Sequence, residues 1–488
     1  MAEVNRVRTR AMFPCALLLA AVMLRIPFTS SMLFHHDSAN FALALERYDL
    51  GAHQPHPPGY FLYVMLGKVV HLFVEDANAA FVSISIAFSA LAVLFLYLSG
   101  REMYDERTAL TAAFFALASP NLWFHAEVAL SYAADAFFSA AAGYLAWKLY
   151  RGSTPALWIL ALLLAVAGGF RQSTLVFLFP LWLAAAWQGR KRAEIVPALA
   201  LMLIGCAAWF APMVILTGGM SAYLAAFQEL WQWSSGNQSV FEKGWPRLLL
   251  YGQTLAGFTL HGLGVAFAVA VTAGYAAWRK GWAGSLCGGK RWFYAAWILP
   301  SALFYLLVFI HPANPGYALV FLPPLLLLSA RGALLLGHLV LGGNWKGTAV
   351  LVVAVTVANS AIFLACDTQV SWPSLRRHDR ELTTMLQELD RLDPATTALV
   401  IKPYLFHGFR VFMYYLPRHM VYLYEPGITG QRQTFWGTGR KTFLSKEFAL
   451  PPRLTEVATV LFEEGDRPVA RVKRGPAAAM MQEIAASR

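Results

Sequence analysis

Asp37 stands in the run "FHHDSANF", between His36 and Ser38, directly after the first long apolar stretch of the chain. A carboxylate beside imidazoles at the edge of a lipid phase either has its pKa raised by the low dielectric or is held ionised by a partner, and either state suits it to proton transfer. A purely local alternative is that Asp37 caps a helix beginning "SANFALALERY", since Asp and Ser are preferred N-caps. Further along the same loop, "HPPGY" at His56 to Tyr60 fixes the backbone through two prolines and reads as a rigid lead-in to a helix from Tyr60.

A second acid, Asp135, lies in "YAADAFF" within or at the start of an apolar run. An ionisable group there is costly unless it faces a cavity or a partner; snorkelling or capping is the alternative. Glu127, in the turn just before it, reads as solvated. Arg171 in "GGFRQST" is a strong cation between two short apolar runs. Its guanidinium matches a phosphate bidentately, and interfacial anchoring is the competing role. His311 and Tyr317, in "IHPANPGYALVFLPP", mark the mouth of two further runs, with Pro323 and Pro324 set to bend or break a helix.

The elements that must position these residues belong in a bilayer. Of 488 residues, 58% are hydrophobic and 14% charged, and mean hydropathy is +0.50; a soluble domain carries about 25% charged residues. Membrane-length apolar runs lie near 11–33, 77–98, 109–124, 132–150, 157–170, 174–187, 196–216, 253–278, 292–310, 317–341 and 348–365, which makes about eleven spans. Residues 1–365 thus form a transmembrane module.

The net charge of +12 sits in short clusters between the runs, with no basic helix face and interleaved aromatics for nucleic acid. One alternating set of loops holds Arg6, Arg8 and Arg10, then Arg101 and Arg107, then the 190–192 and 279–291 clusters. By the positive-inside rule these face the cytoplasm, as does the N-terminus. The loop 34–76 and a tail from Cys366 then share the outer side. The first run reads as an uncleaved anchor, since no A-x-A-like site follows it. "GYFLYVMLGKVVHLFV" is too short and too punctuated to span and reads as an interfacial helix. The tail, 366–488, offers a helix-like "PSLRRHDRELTTMLQELDRL" and strand-like "TALVIKP" and "HMVYLYE", hence a small C-terminal α/β extracytoplasmic domain on an α-helical polytopic membrane protein.

Other chemistries find no motif. P-loop, G-x-G-x-x-G, H-E-x-x-H and G-x-S-x-G patterns are missing. The four cysteines are scattered with no C-x-x-C spacing, so neither a disulfide framework nor a metal knuckle is indicated. "NQS" at Asn237 fits a glycosylation acceptor, a tripeptide common by chance.

With Asp37 in the first outer loop, "HPPGY" after it and "YAADAFF" at a later outer hairpin, the chain resembles the C-type superfamily of integral-membrane glycosyltransferases. The likeness is greatest to the bacterial branch similar to protein O-mannosyltransferases and the lipid A aminoarabinose transferase. The resemblance implies a polyprenyl-phosphate-linked monosaccharide donor, a glycan, lipid or protein acceptor from the outer side, and displacement with inversion. It also implies the bacterial inner membrane, with the tail in the periplasm. Asp37 and Asp135 would be the catalytic residues, Asp37 taking the acceptor proton and Asp135 orienting His56 or the acceptor. His36, His56, Tyr60, Tyr132, Arg171, His311 and Tyr317 would bind substrate, Arg171 foremost at the phosphate. Ser38 replaces the second acid that often follows the loop Asp in the family. This speaks against a paired-carboxylate mechanism or a tightly held metal, and leaves a divalent cation, Mg or Mn, as an open alternative. A transporter or flippase for a lipid-linked or anionic substrate is the competing class.

Overall fold

The computed structural model describes residues 2–189, 191–232, 237–280, 287, 289–340, 342–401, 406–424, 443–444, 450–463 and 469–486. Helix α1 (Ala2–Arg25) leads through a 3-10 turn into the loop that holds Asp37. Two short helices fold that loop, α2 (His36–Glu46) and α3 (Phe61–His71). Phe61, Tyr63 and Val64 of α3 point inward, while Val69 and the following Leu72 and Phe73 are exposed. That is the one-sided pattern of a helix lying on a membrane surface, as expected from its sequence.

The helical body continues with α4 (Ala77–Met103), α5 (Glu106–Leu117), α6 (Pro120–Ala126), α7 (Tyr132–Tyr150), α8 (Thr154–Phe170) and α9 (Gln172–Gln188). Next come α10 (Arg192–Leu216), α11 (Met220–Trp231), α12 (Val240–Lys243), α13 (Trp245–Leu263) and α14 (Val265–Arg279). It closes with α15 (Arg291–Leu307), α16 (Leu322–Val340) and α17 (Trp345–Ala365). Side-chain caps set several starts: Asp76 accepts from Ala79 N at 2.7 Å and Asp105 from Thr108 N at 2.8 Å.

Helices α4 and α7 form the centre. α7 buries Ala133, Ala136, Ser139, Ala140 and Gly143, small residues that let neighbours approach closely. A Cβ at Gly143 would lie 2.0 Å from the Trp297 indole, whose Nε1 donates to Ser139 Oγ at 2.8 Å.

Every expected span contains helix. Among the described residues, four helices (α4, α10, α16 and α17) are long and apolar enough to cross a membrane, or five if the bent α13–α14 pair is one crossing. The helices therefore do not fix the count of about eleven. Helices α8 and α9, 17 residues each, sit at the lower limit of about 17 residues for a crossing.

Two expected spans are broken. Residues 109–124 divide into α5 and α6, where Ser119 and then Pro120 start a new helix and Ser119 Oγ donates to Gly262 O at 2.6 Å. Residues 253–278 divide into α13 and α14, bent by 101° at Gly264. Gly264 has φ +54°, a conformation L side chains rarely adopt. Asn359 of α17 bridges the freed backbone, accepting from Val265 N at 2.7 Å and donating to Leu263 O at 2.9 Å. Backbone polar groups exposed by a break at membrane depth need such a partner.

After α17 come α18 (Trp372–Asp390), β1 (Thr397–Ile401), α19 (Phe406–Tyr415), β2 (Met420–Tyr424), β3 (Phe443–Leu444), β4 (Glu456–Glu463), β5 (Val469–Pro476) and α20 (Ala477–Ala486). The strands form one sheet in the order β3-β2-β1-β4-β5, parallel except for β5. Period-two alternation sorts its faces: Leu399, Ile401, Val421 and Leu423 join the main core. Ala398, Val400, Tyr422 and Tyr424 pack under Met480 and Ile484 of α20.

Gly264→Ala places a methyl group 2.3 Å from Asn359 Oδ1, and Asn359→Leu orphans two buried backbone groups. Each is expected to lower stability by about 1–3 kcal/mol, read as a lower thermal unfolding midpoint in detergent. An unchanged midpoint in both variants would show that the bend does not depend on this contact.

Candidate active site

Helix α2 begins with a reciprocal cap made by His35 and Ser38. His35 Nδ1 accepts from Asp37 N at 3.2 Å, and His35 N donates to Ser38 Oγ at 3.3 Å. The expectation that Asp37 caps this helix is thereby corrected. His35 takes the cap because its ring folds back over the first turn, and the Asp37 carboxylate is left for side-chain partners. Its place in the first turn also suits a negative charge.

Those partners are imidazoles. Asp37 Oδ1 lies 3.0 Å from His36 Nε2 and 3.2 Å from His56 Nδ1, and Oδ2 lies 3.5 Å from His35 Nδ1. His56 Nε2 is 3.2 Å from the Tyr60 hydroxyl. His56 Nδ1 comes close to Asp37 without forming a hydrogen bond to it.

The "HPPGY" turn holds His56 there. Gly59, at φ +120°, donates its N–H to His56 O at 3.2 Å, and its own carbonyl accepts from Tyr48 Oη at 2.7 Å. A Cβ at Gly59 would lie 2.5 Å from the Met213 sulfur. Gln172 Nε2 donates to Pro58 O at 3.2 Å, tying the turn to α9.

Burial opposes ionisation of Asp37, but the fields of His36 and His56 and a hydrogen bond from His36 outweigh it. Together they hold the carboxyl well below the usual carboxylate range. Burial pulls the His36 imidazole down to about 4, against the pull of Asp37, and lowers His56 as well. At neutral pH the site therefore holds an ionised Asp37 beside neutral imidazoles at His36 and His56. His311, lowered by burial, lies in the fields of His35 and Asp37.

The second cluster is built around Arg171, in the break between α8 and α9. Arg171 Nη1 donates to Asp135 Oδ2 at 2.9 Å, and the Thr174 hydroxyl donates to Asp135 Oδ1. The guanidinium lies 4.5 Å from the Tyr132 ring centroid and 5.1 Å from that of Tyr317. Gly316 permits this packing: a Cβ there would come within 2.3 Å of Tyr132. Tyr317 occupies a 3-10 turn, Pro315–Val320, ahead of α16 rather than the start of the helix itself.

The two clusters face each other, since Arg171 acts electrostatically on both His56 and Tyr60. The nine residues expected to be catalytic or substrate-binding thus belong to these two clusters or, for His311, lie within the field of the first. Asp135 is held by Arg171 and Thr174, and among the described residues no hydrogen bond joins it to His56. It therefore orients the cation.

Sequence reasoning missed Thr174, one helical turn beyond Arg171, and Tyr305, whose ring lies 5.1 Å from Tyr317. It also placed Glu127 in solvent, whereas the residue is fully buried. Burial pushes the Glu127 carboxyl up to about 9, with Arg25 opposing. The turn that carries it is covered because Glu127 O accepts from Ser30 N at 2.9 Å, bringing the end of α1 across it.

His35, His36 and Asp37 offer ligand atoms within 4.8 Å of one another. Two imidazoles and one carboxylate suit Zn²⁺ or Mn²⁺ better than Mg²⁺, which favours carboxylates and water.

Residues 37–194 match the family model described as the N-terminal domain of the protein O-mannosyl-transferase TMEM260. That match starts at Asp37 and takes in His56, Asp135 and Arg171. No curated protein matches the chain by sequence. Among solved structures, ArnT from Cupriavidus metallidurans in the apo state aligns with a TM-score of 0.55 at 13% identity, over 98% of this chain and 99% of that one. ArnT from the same organism bound to undecaprenyl phosphate aligns with 0.56 at 12% identity, over 97% and 98%. These matches bear out the resemblance to C-type glycosyltransferases. The fold is shared with ArnT along nearly its full length, terminal sheet included.

Asp135→Asn leaves the buried Arg171 without its counter-charge and is expected to destabilise by about 3–5 kcal/mol. Asp135→Asn with Arg171→Gln removes both charges and should recover part of that loss. Unfolding midpoints of the two variants in detergent decide it; a double variant no more stable than the single one would sink the idea of a coupled pair.

Proposed function

We propose that the chain is an inverting glycosyltransferase. It moves a monosaccharide from a polyprenyl-phosphate-linked donor to an acceptor hydroxyl at the outer face of the membrane. The observation that carries this reading is the pairing, in one tyrosine-walled site, of a carboxylate kept ionised at Asp37 with a cation held in place at Arg171. The shared fold with ArnT, a protein seen bound to undecaprenyl phosphate, supports the donor class.

The acceptor oxygen attacks the anomeric carbon from the side opposite the phosphate. Asp37 accepts the acceptor's proton as the new C–O bond forms. The old bond to the phosphate oxygen breaks, its electron pair leaves with the lipid phosphate, and the configuration inverts. Arg171, aimed by Asp135 and Thr174 and flanked by Tyr132 and Tyr317, stabilises the charge that develops on the leaving group. His56 and His36 keep Asp37 ionised and oriented. A divalent cation bound at His35, His36 and Asp37 would add positive charge beside the acceptor. The alternation of basic loops supports placing the loop with Asp37, and the terminal unit that packs on it, on the periplasmic side of a bacterial inner membrane.

Native mass spectrometry of the wild type and Asp37→Asn, purified gently from host membranes, tests the reading. Sugar-charged polyprenyl phosphate is expected on the variant and bare phosphate on the wild type, and the added mass names the sugar class. Retention of no polyprenyl lipid by either protein, with the variant still performing its cellular task, would remove the assignment.

The pH dependence follows from the depressed Asp37 value. Transfer needs the ionised form, so it is present above the folded-state pKa and lost only as pH falls through it. The acid limb of a rate profile in isolated membranes should lie below the ordinary Asp value of about 3.9. His56→Asn removes a group that holds Asp37 ionised and should move that limb upward. A limb that stays in place would show that His56 does not tune Asp37.

A further inference from the structure

Arg410 of α19 is fully buried, and it reaches the loop of Asp37 from the far end of the chain. Its Nε donates to Asn40 Oδ1 at 2.6 Å, while Nη2 donates to Ala52 O at 2.6 Å and His53 O at 2.7 Å. Asn40 lies three residues after Asp37 on α2, and His53 lies three residues before His56. One guanidinium thus joins the two segments whose separation sets the 3.2 Å approach of Asp37 to His56. A planar fork fits this task, since it directs donors along two fixed edges at once.

A second set of contacts holds the same loop upstream. Asp379 of α18 accepts from Ser30 Oγ and Ser31 N, both at 2.8 Å, and from Ser31 Oγ at 3.0 Å. The Tyr415 hydroxyl accepts from Leu33 N at 3.0 Å. The C-terminal unit therefore grips residues on both sides of Asp37. Burying a cation costs desolvation, and burial lowers the Arg410 pKa to about 9. A neutral side chain could fill the space without that cost, but it could not donate in three directions.

We propose that Arg410 is a positioning residue. By clamping Asn40 to Ala52 and His53 it sets the geometry of Asp37 and His56, and it makes the C-terminal unit a working part of the reaction site. The inference rests on the reading of Asp37 as the proton acceptor.

Two readouts on the full chain test it: hydrogen exchange of the backbone amides in residues 38–60, and native mass spectrometry of the lipid carried out of host membranes. Arg410→Gln is expected to speed loop exchange about tenfold or more while amides of α4 and α7 keep wild-type protection. It should also retain sugar-charged lipid, as Asp37→Asn does. Arg410→Lys, which keeps the charge but not the fork, should fall between the two. If Arg410→Gln does not fold, Asn40→Ala breaks the same clamp from the loop side and should give the same two changes. Unchanged loop exchange, or faster exchange throughout the protein, overturns the proposal; so does bare lipid on Arg410→Gln when Asp37→Asn carries the charged form. Bare lipid on Asp37→Asn itself counts against the proton-acceptor reading, and loop exchange then still decides whether Arg410 is a clamp.

Discussion

A buried carboxylate needs polar neighbours or it will not stay ionised, and the loop between α1 and α4 is folded so as to bring imidazoles to Asp37. Those neighbours cannot come from one segment. His35 and His36 are adjacent in sequence, but His56 approaches from beyond α2, so the chain must return across the start of its own helix. Two prolines, a glycine at positive φ and three hydrogen bonds hold that return. Burial keeps His36 and His56 neutral at neutral pH.

The opposite wall answers the same constraint with the sign reversed. Arg171 is a buried cation that needs a counter-charge, and Asp135 supplies it from a central helix made of small residues. This explains a feature that looked wasteful in the sequence, an acid in the first turn of an apolar helix. The guanidinium also lies over the Tyr132 and Tyr317 rings, and on the proposed reading a preorganised cation of this kind meets the leaving phosphate without reorganisation. Breaks at Arg171, Ser119 and Gly264 place irregular backbone inside a membrane protein. Around Ser119 and Gly264 a side chain takes up polar backbone atoms that a continuous helix would have satisfied.

The parts of this arrangement legible in the sequence were those that violate a local expectation. Asp37, Asp135 and Arg171 stood out because charges beside apolar runs are costly, and "HPPGY" stood out because prolines restrict so few residues so firmly. The terminal strands were visible by alternation and the helices by hydropathy. Contacts that depend on which segments meet were not visible. His35 replaced Asp37 as the cap because a ring folded back, a choice that propensity does not encode. Glu127 looked solvated because it sits in a connecting turn, yet the end of α1 covers it. Gly264 and Ser119 are unremarkable letters in apolar runs, and their breaks follow from Asn359 and Gly262, distant in sequence.

The placement of the polar groups also separates the competing function classes. A transporter binds its cargo near the middle of the bilayer, between helices that can rock around it. Here the carboxylate, its imidazoles and Tyr60 all lie in the loop between α1 and α4, folded by short helices and covered by a sheet-containing unit. Arg410 and Asp379 fasten that cover to the loop from both sides of Asp37. A loop fastened in this way fits the proposed reading, transfer at one face of the membrane with Asp37 as proton acceptor and Arg171 at the phosphate, better than it fits alternating exposure to two sides.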